Sequence, residues 1–150
     1  MNNVLKFVFD TNTLLSAVIS PDGKSTTAQA YHKALQHGVL LASEETFAEL
    51  VDVLFRRKFD KYLSDETRFN FLSSFRKAAL WIQIDNPVFD CRDPKDNKFL
   101  SLAVAADATL IITGDDDLLL LNPYKHIQIL NSRQFCELDL EKTYVTNTTN

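Results

Sequence analysis

The sequence predicts one α/β domain, a three-layer α/β/α sandwich around a central parallel sheet of about five strands. Short apolar runs alternate with longer segments in which apolar residues recur at helical spacing. Such β-α-β units give parallel sheets that helices cover on both faces. The 150 residues are 45% hydrophobic and include 11 phenylalanines, which is enough apolar material for one core.

The predicted strands are short apolar runs. They lie at residues 4–9, 39–41, 81–84, 109–112 and 127–130. The first run is interrupted only by Lys6, which is typical of a strand at the centre of a parallel sheet. The third run is followed by Asn86-Pro87, which ends the strand because proline cannot continue a strand ladder.

The predicted helices are bounded by capping and breaking residues. They cover residues 13–18, 25–36, 65–80 and 94–106, with one more helix capped by Ser43 and a short last helix capped by Ser132. Gly38 closes the second helix. Pro94 occupies the first turn of the 94–106 helix, where its missing N–H costs nothing. That helix is apolar on most sides, so we expect it to be buried between neighbours.

The globular domain is expected to span residues 1–137, and the polar residues 138–150 are expected to form a flexible C-terminal tail. No stretch approaches the ~18 apolar residues of a membrane span, and the apolar run at the N-terminus is too short for a signal peptide. Cys91 and Cys136 show no metal-binding spacing and are expected to be reduced thiols. These features predict a cytoplasmic protein without a membrane partner.

The chain is acidic, with a net charge of −4 and a pI near 5.3. A module that only binds duplex nucleic acid would usually be basic. A metal-dependent nuclease is compatible with this charge, because a metal site is itself a concentration of acids. The chain has only three glycines, so it lacks the Gly-rich loop of a nucleotide-binding module.

Acidic residues follow the predicted strands at the points where helices begin. Asp10 follows the first strand, and Glu49 lies in the helix after the second strand. Residues 93–96 and 115–117 follow the third and fourth strands. In a parallel sheet these junctions share the carboxyl edge, where ligands bind. Each acid alone could equally cap a helix or face solvent.

Convergence of these acids would have an electrostatic consequence. Two carboxylates about 4 Å apart repel by roughly 4 kcal/mol at an effective dielectric constant near 20. A group of three or four must therefore take up protons or bind a cation, and oxygen ligands suit Mg²⁺ or Mn²⁺. Such ions can activate a water molecule and stabilise the leaving oxygen in phosphodiester cleavage.

Four segments resemble, in order, the motifs of PIN domains, a family of metal-dependent ribonucleases. They are residues 9–17, 46–54, 91–100 and 110–119, which read FDTNTLLSA, TFAELVDVL, CRDPKDNKFL and LIITGDDDLL. The resemblance covers about residues 4–136. The catalytic and metal-binding acids that it implies are Asp10, Glu49, Asp96 and Asp115, with Asp117 as an additional metal ligand and Asp93 as a further acid nearby.

The resemblance also implies Mg²⁺- or Mn²⁺-dependent cleavage of RNA and the role of toxin in a toxin–antitoxin pair, as in VapC-like ribonucleases. A small antitoxin protein and a second copy of the chain, in a homodimer, are the expected partners. Asn12 and Thr113 are expected to orient a water molecule or a phosphate oxygen, although both could be ordinary turn residues. A PIN nuclease of RNA processing and a catalytically silent PIN interaction module are the alternatives.

Two basic groups could contact RNA phosphates. One follows the helix that carries Glu49 and comprises Arg56, Arg57, Lys58 and Lys61. The other flanks Asp96 and comprises Arg92, Lys95 and Lys98. Bases could stack on aromatic side chains, for which the candidates are Tyr31, Phe59 and Tyr62, although most aromatic residues of a Phe-rich chain belong to its core.

Two other enzyme classes also place an aspartate after the first strand. A haloacid-dehalogenase-type phosphatase needs a second aspartate two positions after Asp10, where this chain has Asn12. A receiver-type phosphoacceptor domain expects a lysine near the last strand, and no lysine directly follows residues 127–130. The sequence therefore favours the nuclease over both.

Overall fold

The computed structural model describes residues 4–145 and contains a five-stranded parallel sheet. The strands are β1 (Leu5–Phe9), β2 (Gly38–Ala42), β3 (Leu80–Trp81), β4 (Leu110–Ile112) and β5 (Gln128–Leu130). Their order in the sheet is β3-β2-β1-β4-β5, and every pairing is parallel. The predicted α/β class with a central parallel sheet is confirmed.

One or two helices connect each strand to the next, and the last helix follows β5. They are α1 (Thr11–Ile19), α2 (Thr26–His37), α3 (Glu44–Leu54), α4 (Asp65–Ala78), α5 (Asn97–Ala106), α6 (Asp116–Leu119) and α7 (Ser132–Glu137). The side chains of Ser25, Ser43 and Ser64 cap α2, α3 and α4 by accepting from backbone N–H groups. Within residues 4–145, no helix combines the length and the apolar character that crossing a membrane requires.

Alternate residues of the central strand face opposite helical layers, as the pleat of a strand dictates. Phe7 and Phe9 belong to the core formed with α1 to α4 and α7, where the rings of Phe7 and Phe135 lie 5.3 Å apart. Val8 belongs to the opposite core, together with Leu100 of α5. Both faces of the sheet are therefore covered, which confirms the three-layer arrangement.

Gly38 is needed for a different reason from the one that the sequence suggested. Its backbone φ is −174°, which is extended and open to any residue. It begins β2 opposite Leu5, and a Cβ at this position would lie 2.2 Å from the Leu5 carbonyl oxygen. The glycine therefore permits the close approach of β2 to β1.

Several predicted boundaries differ from the structure by a few residues. The third strand, predicted over residues 81–84, is only Leu80–Trp81, although the Ile82 N–H still donates to the Ala42 carbonyl at 2.8 Å. This strand lies at the edge of the sheet, so only β2 holds it. The first helix begins two residues early, at Thr11, because the Asp10 side chain caps it. The predicted 94–106 helix begins with a 3₁₀ turn at Pro94–Asp96.

The predicted tail does not begin at residue 138. Leu140 is buried at 3% exposure, and Leu138 and Tyr144 pack against the same core as Phe7. The Tyr144 hydroxyl donates to the Gln128 side chain at 2.6 Å, and residues Glu141–Val145 form a π-helical turn. Three apolar side chains within a polar segment are enough to anchor it. Residues 146–150 of the predicted tail lie outside the described residues.

Candidate metal centre

The pairing of β1 with β4 brings two of the predicted site residues together. The register aligns Phe9 with Ile112, so Asp10 and Thr113 leave the sheet side by side at its carboxyl edge. The Thr113 hydroxyl donates to one oxygen of the Asp10 carboxylate. It also accepts from the Asp115 N–H at 2.9 Å, so that it links the two acids through one side chain.

Asp10 is a buried carboxyl group at the start of α1. It is 5% exposed, and its second oxygen accepts from the Thr13 N–H at 3.0 Å. Burial raises the pKa of Asp10, and the negative charge of Asp115 acts in the same direction. The hydrogen bonds from Thr113 and Thr13 oppose the shift, because they favour the ionised form.

Four other carboxylates converge nearby and are here called the acid group. They are Asp93, Asp96, Asp115 and Asp117, and one oxygen of each lies within 4.8 Å of the other three. All four are partly buried. Three of them were predicted as metal ligands, and Asp93 was noted only as a nearby acid.

Two members of the acid group are also capping residues. Asp93 accepts from the Lys95 N–H at 3.1 Å and so caps the 94–96 turn. Asp115 accepts from the Asp117 N–H at 3.0 Å and so caps α6. Each cap uses one carboxylate oxygen, which leaves the other free for a ligand. The capping role and the ligand role are therefore compatible, although the sequence presented them as alternatives.

The acid group carries more negative charge than it can hold unaided. Burial, followed by a hydrogen bond with the neighbouring Asp115 and the charge of that residue, raises the pKa of Asp96 to about 8. Without a cation, Asp96 therefore holds a proton at neutral pH. Hard oxygen donors in this number suit Mg²⁺ or Mn²⁺, which would replace that proton. The residues present thus fit a divalent cation.

Glu49 lies outside the acid group. One of its oxygens accepts from the Thr11 hydroxyl, and the other lies 2.7 Å from the ammonium group of Lys98. The expected metal ligand is thus neutralised by a lysine in this structure. The sequence did contain a signal for Asp93 as the fourth acid in place of Glu49. Asp93 and Asp96 flank one short turn and therefore lie close together.

Comparison with known proteins shows the family of the chain. The family described as PIN domain matches residues 6–117 of the chain. The chain belongs to the PIN-domain family. PIN domains are generally nucleases, and they generally use divalent metals.

The chain is also similar to one curated relative and to one solved structure. It is 31% identical over 145 residues to an uncharacterised protein, MJ1680, of Methanocaldococcus jannaschii, which covers 89% of this chain and 90% of that protein. The crystal structure of VapBC2 from Rickettsia felis bound to a promoter DNA fragment matches 85% of this chain and 98% of its own chain. The TM-score is 0.55 at 14% identity, so this likeness concerns the fold alone.

An open cleft of about 760 Å³ lies beside the acid group of this PIN domain. Its lining includes Asp10, Asn12, Arg92, Asp115 and Asp117. Asn12 is exposed there, so it can reach a bound molecule. Thr113 is fully buried and acts through Asp10 and Asp115 instead.

The predicted RNA contacts fall in two places. Arg92 lines the cleft, is 71% exposed and donates from Nε to Asp117 at 2.7 Å. Arg56 forms an exposed pair with Asp52 at 3.1 Å, while Arg57 and Lys58 are exposed in a 3₁₀ turn. These three residues do not line the cleft.

Of the aromatic candidates for base stacking, one is well exposed. Tyr62 is 57% exposed, whereas Tyr31 is buried at 9%. Phe59 packs against the core. Tyr62 is therefore the most exposed of the three candidates.

Proposed function

We propose that this PIN domain is an endoribonuclease that depends on Mg²⁺ or Mn²⁺ and hydrolyses phosphodiester bonds of RNA at the acid group. The observation that carries the proposal is the convergence of Asp93, Asp96, Asp115 and Asp117 within 4.8 Å, at the edge of the sheet where Asp10 also ends its strand. Converging carboxylates repel one another, and burial increases the free-energy cost of their negative charges. A cation that neutralises these charges is therefore the expected ligand.

The residues of the chain divide the work. The acid group binds the cation, which when bound lowers the pKa of a water molecule and neutralises charge on the phosphodiester. Asp10 lines the cleft and is fixed by hydrogen bonds from Thr13 and Thr113, so its carboxylate can orient the attacking water. Asn12 lines the cleft, and its side-chain amide would donate to a phosphate oxygen.

Arg92 is the proposed phosphate anchor. It contacts Asp117 at the cleft and is mostly exposed, so it can turn from this carboxylate to an RNA phosphate once a cation neutralises the acids. Arg56, Arg57 and Lys58 would contact phosphates further along the strand.

We propose further that the protein is the toxin of a toxin–antitoxin pair in the cytoplasm. The support is the membership of the PIN family and the fold shared with a chain of VapBC2. A small antitoxin protein and a second copy of the chain are the proposed partners. We expect a short open reading frame beside the gene, and we expect its product to relieve growth arrest on co-expression. Growth arrest without such a neighbouring gene would be compatible with the nuclease activity but would contradict the proposed antitoxin partner.

The test of the activity uses purified protein and single-stranded RNA with Mg²⁺, Mn²⁺ or EDTA. Cleavage is expected with either metal and not with EDTA. Asp10→Asn and Asp96→Asn should each abolish cleavage while the protein stays folded. Cleavage in excess chelator, or by both variants at the parental rate, would refute the proposed function. A folded protein that binds the metal and cleaves nothing would instead be the silent interaction module.

A further inference from the structure

Lys98 forms a largely buried ion pair next to the turn that carries Asp93 and Asp96. Its ammonium group lies 2.7 Å from a Glu49 oxygen, and the side chains of Lys98 and Glu49 are 13% and 28% exposed. Lys98 is in the first turn of α5, where a positive charge opposes the helix dipole. A lysine in this position needs a partner, and Glu49 supplies it.

The pair connects three segments that carry site residues. The Lys98 ammonium also donates to the Lys95 carbonyl at 2.7 Å, inside the turn flanked by Asp93 and Asp96. The second oxygen of Glu49 accepts from Thr11, which directly follows Asp10 in the chain. One network of hydrogen bonds thus runs from the start of α1, through α3, to the turn before α5.

We propose that Glu49 and Lys98 are positioning residues for the metal centre. The pair holds the turn that carries Asp93 and Asp96 in place relative to Asp10, and thereby sets the affinity of the acid group for a divalent cation. This inference rests on the proposed function and deepens it, because it assigns Glu49 a role through Lys98 instead of a direct bond to the metal.

The alternative is that Glu49 is itself a ligand and that Lys98 competes with the cation for it. The two roles give opposite signs for one substitution. Removing the ammonium group of Lys98 takes a positive charge away from a cation site. Metal binding should then become tighter, both by simple electrostatics and if Lys98 competes with the cation for Glu49. The positioning role weakens it, because the turn carrying two ligands loses its anchor. Outer-shell partners of metal ligands typically contribute about 10-fold or more to affinity.

The experiment measures the dissociation constant of Mn²⁺ by isothermal titration calorimetry on the full chain. The variants are Glu49→Gln, Lys98→Met and the double variant. Each single variant is expected to bind Mn²⁺ about 10-fold more weakly. The double variant should be no weaker than either single variant, because both remove the same interaction. Lys98→Arg keeps the charge and should recover part of the affinity.

A matched control comes from the same helix. Asp52 lies on α3 but does not line the cleft, and Asp52→Asn removes its exposed pair with Arg56. This variant should leave the Mn²⁺ affinity unchanged. Thermal unfolding in EDTA verifies that each variant is folded. If Lys98→Met is unfolded, Lys98→Gln replaces it, with the same weaker binding expected.

Unchanged or tighter Mn²⁺ binding by the Lys98 variant overturns the positioning role. A double variant whose loss equals the product of the single losses also overturns it, since the two residues would then act independently. Both results leave the proposed function intact as long as the parent binds Mn²⁺. If the parent does not bind Mn²⁺, the proposed function fails and this inference fails with it.

Discussion

Replacing Asp96 by asparagine should have opposite effects on stability with and without metal. Burial and the adjacent Asp115 raise the pKa of Asp96 from 3.8 to about 8 in the folded protein. The folded state therefore binds a proton more tightly than the unfolded state, and stability falls as the pH rises from about 4 to about 8. The asparagine variant does not titrate, so in EDTA its advantage over the parent should grow across this window.

The size of the effect follows from the geometry of the acid group. Two unit charges at the 4.8 Å limit of the group repel by about 3 kcal/mol at an effective dielectric constant of about 20. Asp96 is only partly buried, so water screens this repulsion to about 1–2 kcal/mol. For a domain of this size, each kcal/mol moves the melting temperature by about 2–4 °C. We expect Asp96→Asn to melt about 2–8 °C above the parent in EDTA at pH 8.

Metal should reverse this order. A ligand at 100 times its dissociation constant stabilises the folded state by about 2.7 kcal/mol. The parent gains this amount with Mn²⁺, whereas Asp96→Asn has lost a charged ligand and gains less. The asparagine variant should therefore melt above the parent in EDTA and below it in saturating Mn²⁺. Differential scanning fluorimetry in both conditions, at pH 5 and pH 8, is sufficient.

Asp116→Asn is the matched control. Asp116 lies between two members of the acid group but is exposed and does not belong to it. Its substitution should change the melting temperature little and show no reversal with Mn²⁺. An Asp96 variant no more stable than the parent in EDTA at pH 8 would show that the acids do not repel as argued. An equal gain of both proteins with Mn²⁺ would exclude Asp96 as a ligand.

Three further outcomes can be checked separately. Gly38→Ala should destabilise the protein strongly, because the new methyl group meets the Leu5 carbonyl at 2.2 Å; denaturant unfolding measures it, and a neutral result would show that β2 can shift. Leu140→Ala should lower the free energy of unfolding by about 2–4 kcal/mol, whereas a truly flexible tail predicts no change in the same assay. Arg92→Ala should raise KM for RNA more than it lowers kcat; an unchanged KM in steady-state cleavage would remove its role as phosphate anchor.

The sequence predicted the parts of the fold that depend on local pattern. The apolar run of β1 and the alternation of strands with capped helices were sufficient for the three-layer class. The length of β3 was not predictable from the apolar run. Ile82 and Ile84 extend that run because they pack against the core on the α5 side, and not because they belong to the strand. The anchoring of Leu140 depends on tertiary contacts that a polar local composition conceals.

The site was predicted in the same uneven way. Asp96, Asp115 and Asp117 converge as expected, since parallel strands bring their carboxyl ends to one edge. The position of Glu49 outside the acid group was not predictable from its spacing in the sequence, because it depends on an ion pair with Lys98 from another helix. Tertiary packing decides which long side chains of different helices contact each other, and a single sequence does not reveal that packing.

The dual role of the capping aspartates explains how this site can exist before a metal binds. Asp10 and Asp115 each accept a backbone N–H at a helix start, and Asp93 does so at the 94–96 turn. Hydrogen bonds from N–H groups favour ionised carboxylates, so they offset part of the repulsion within the group. Asp96 accepts no such capping bond, and it is the member of the acid group whose pKa rises to about 8. The protonation of this one residue therefore lowers the repulsion within the acid group when no cation is bound, and its deprotonation should accompany metal binding. Calorimetric titration of Mn²⁺ at pH 7 in two buffers of different ionisation enthalpy should detect about one released proton per protein. Metal binding without proton release would contradict this account of the site.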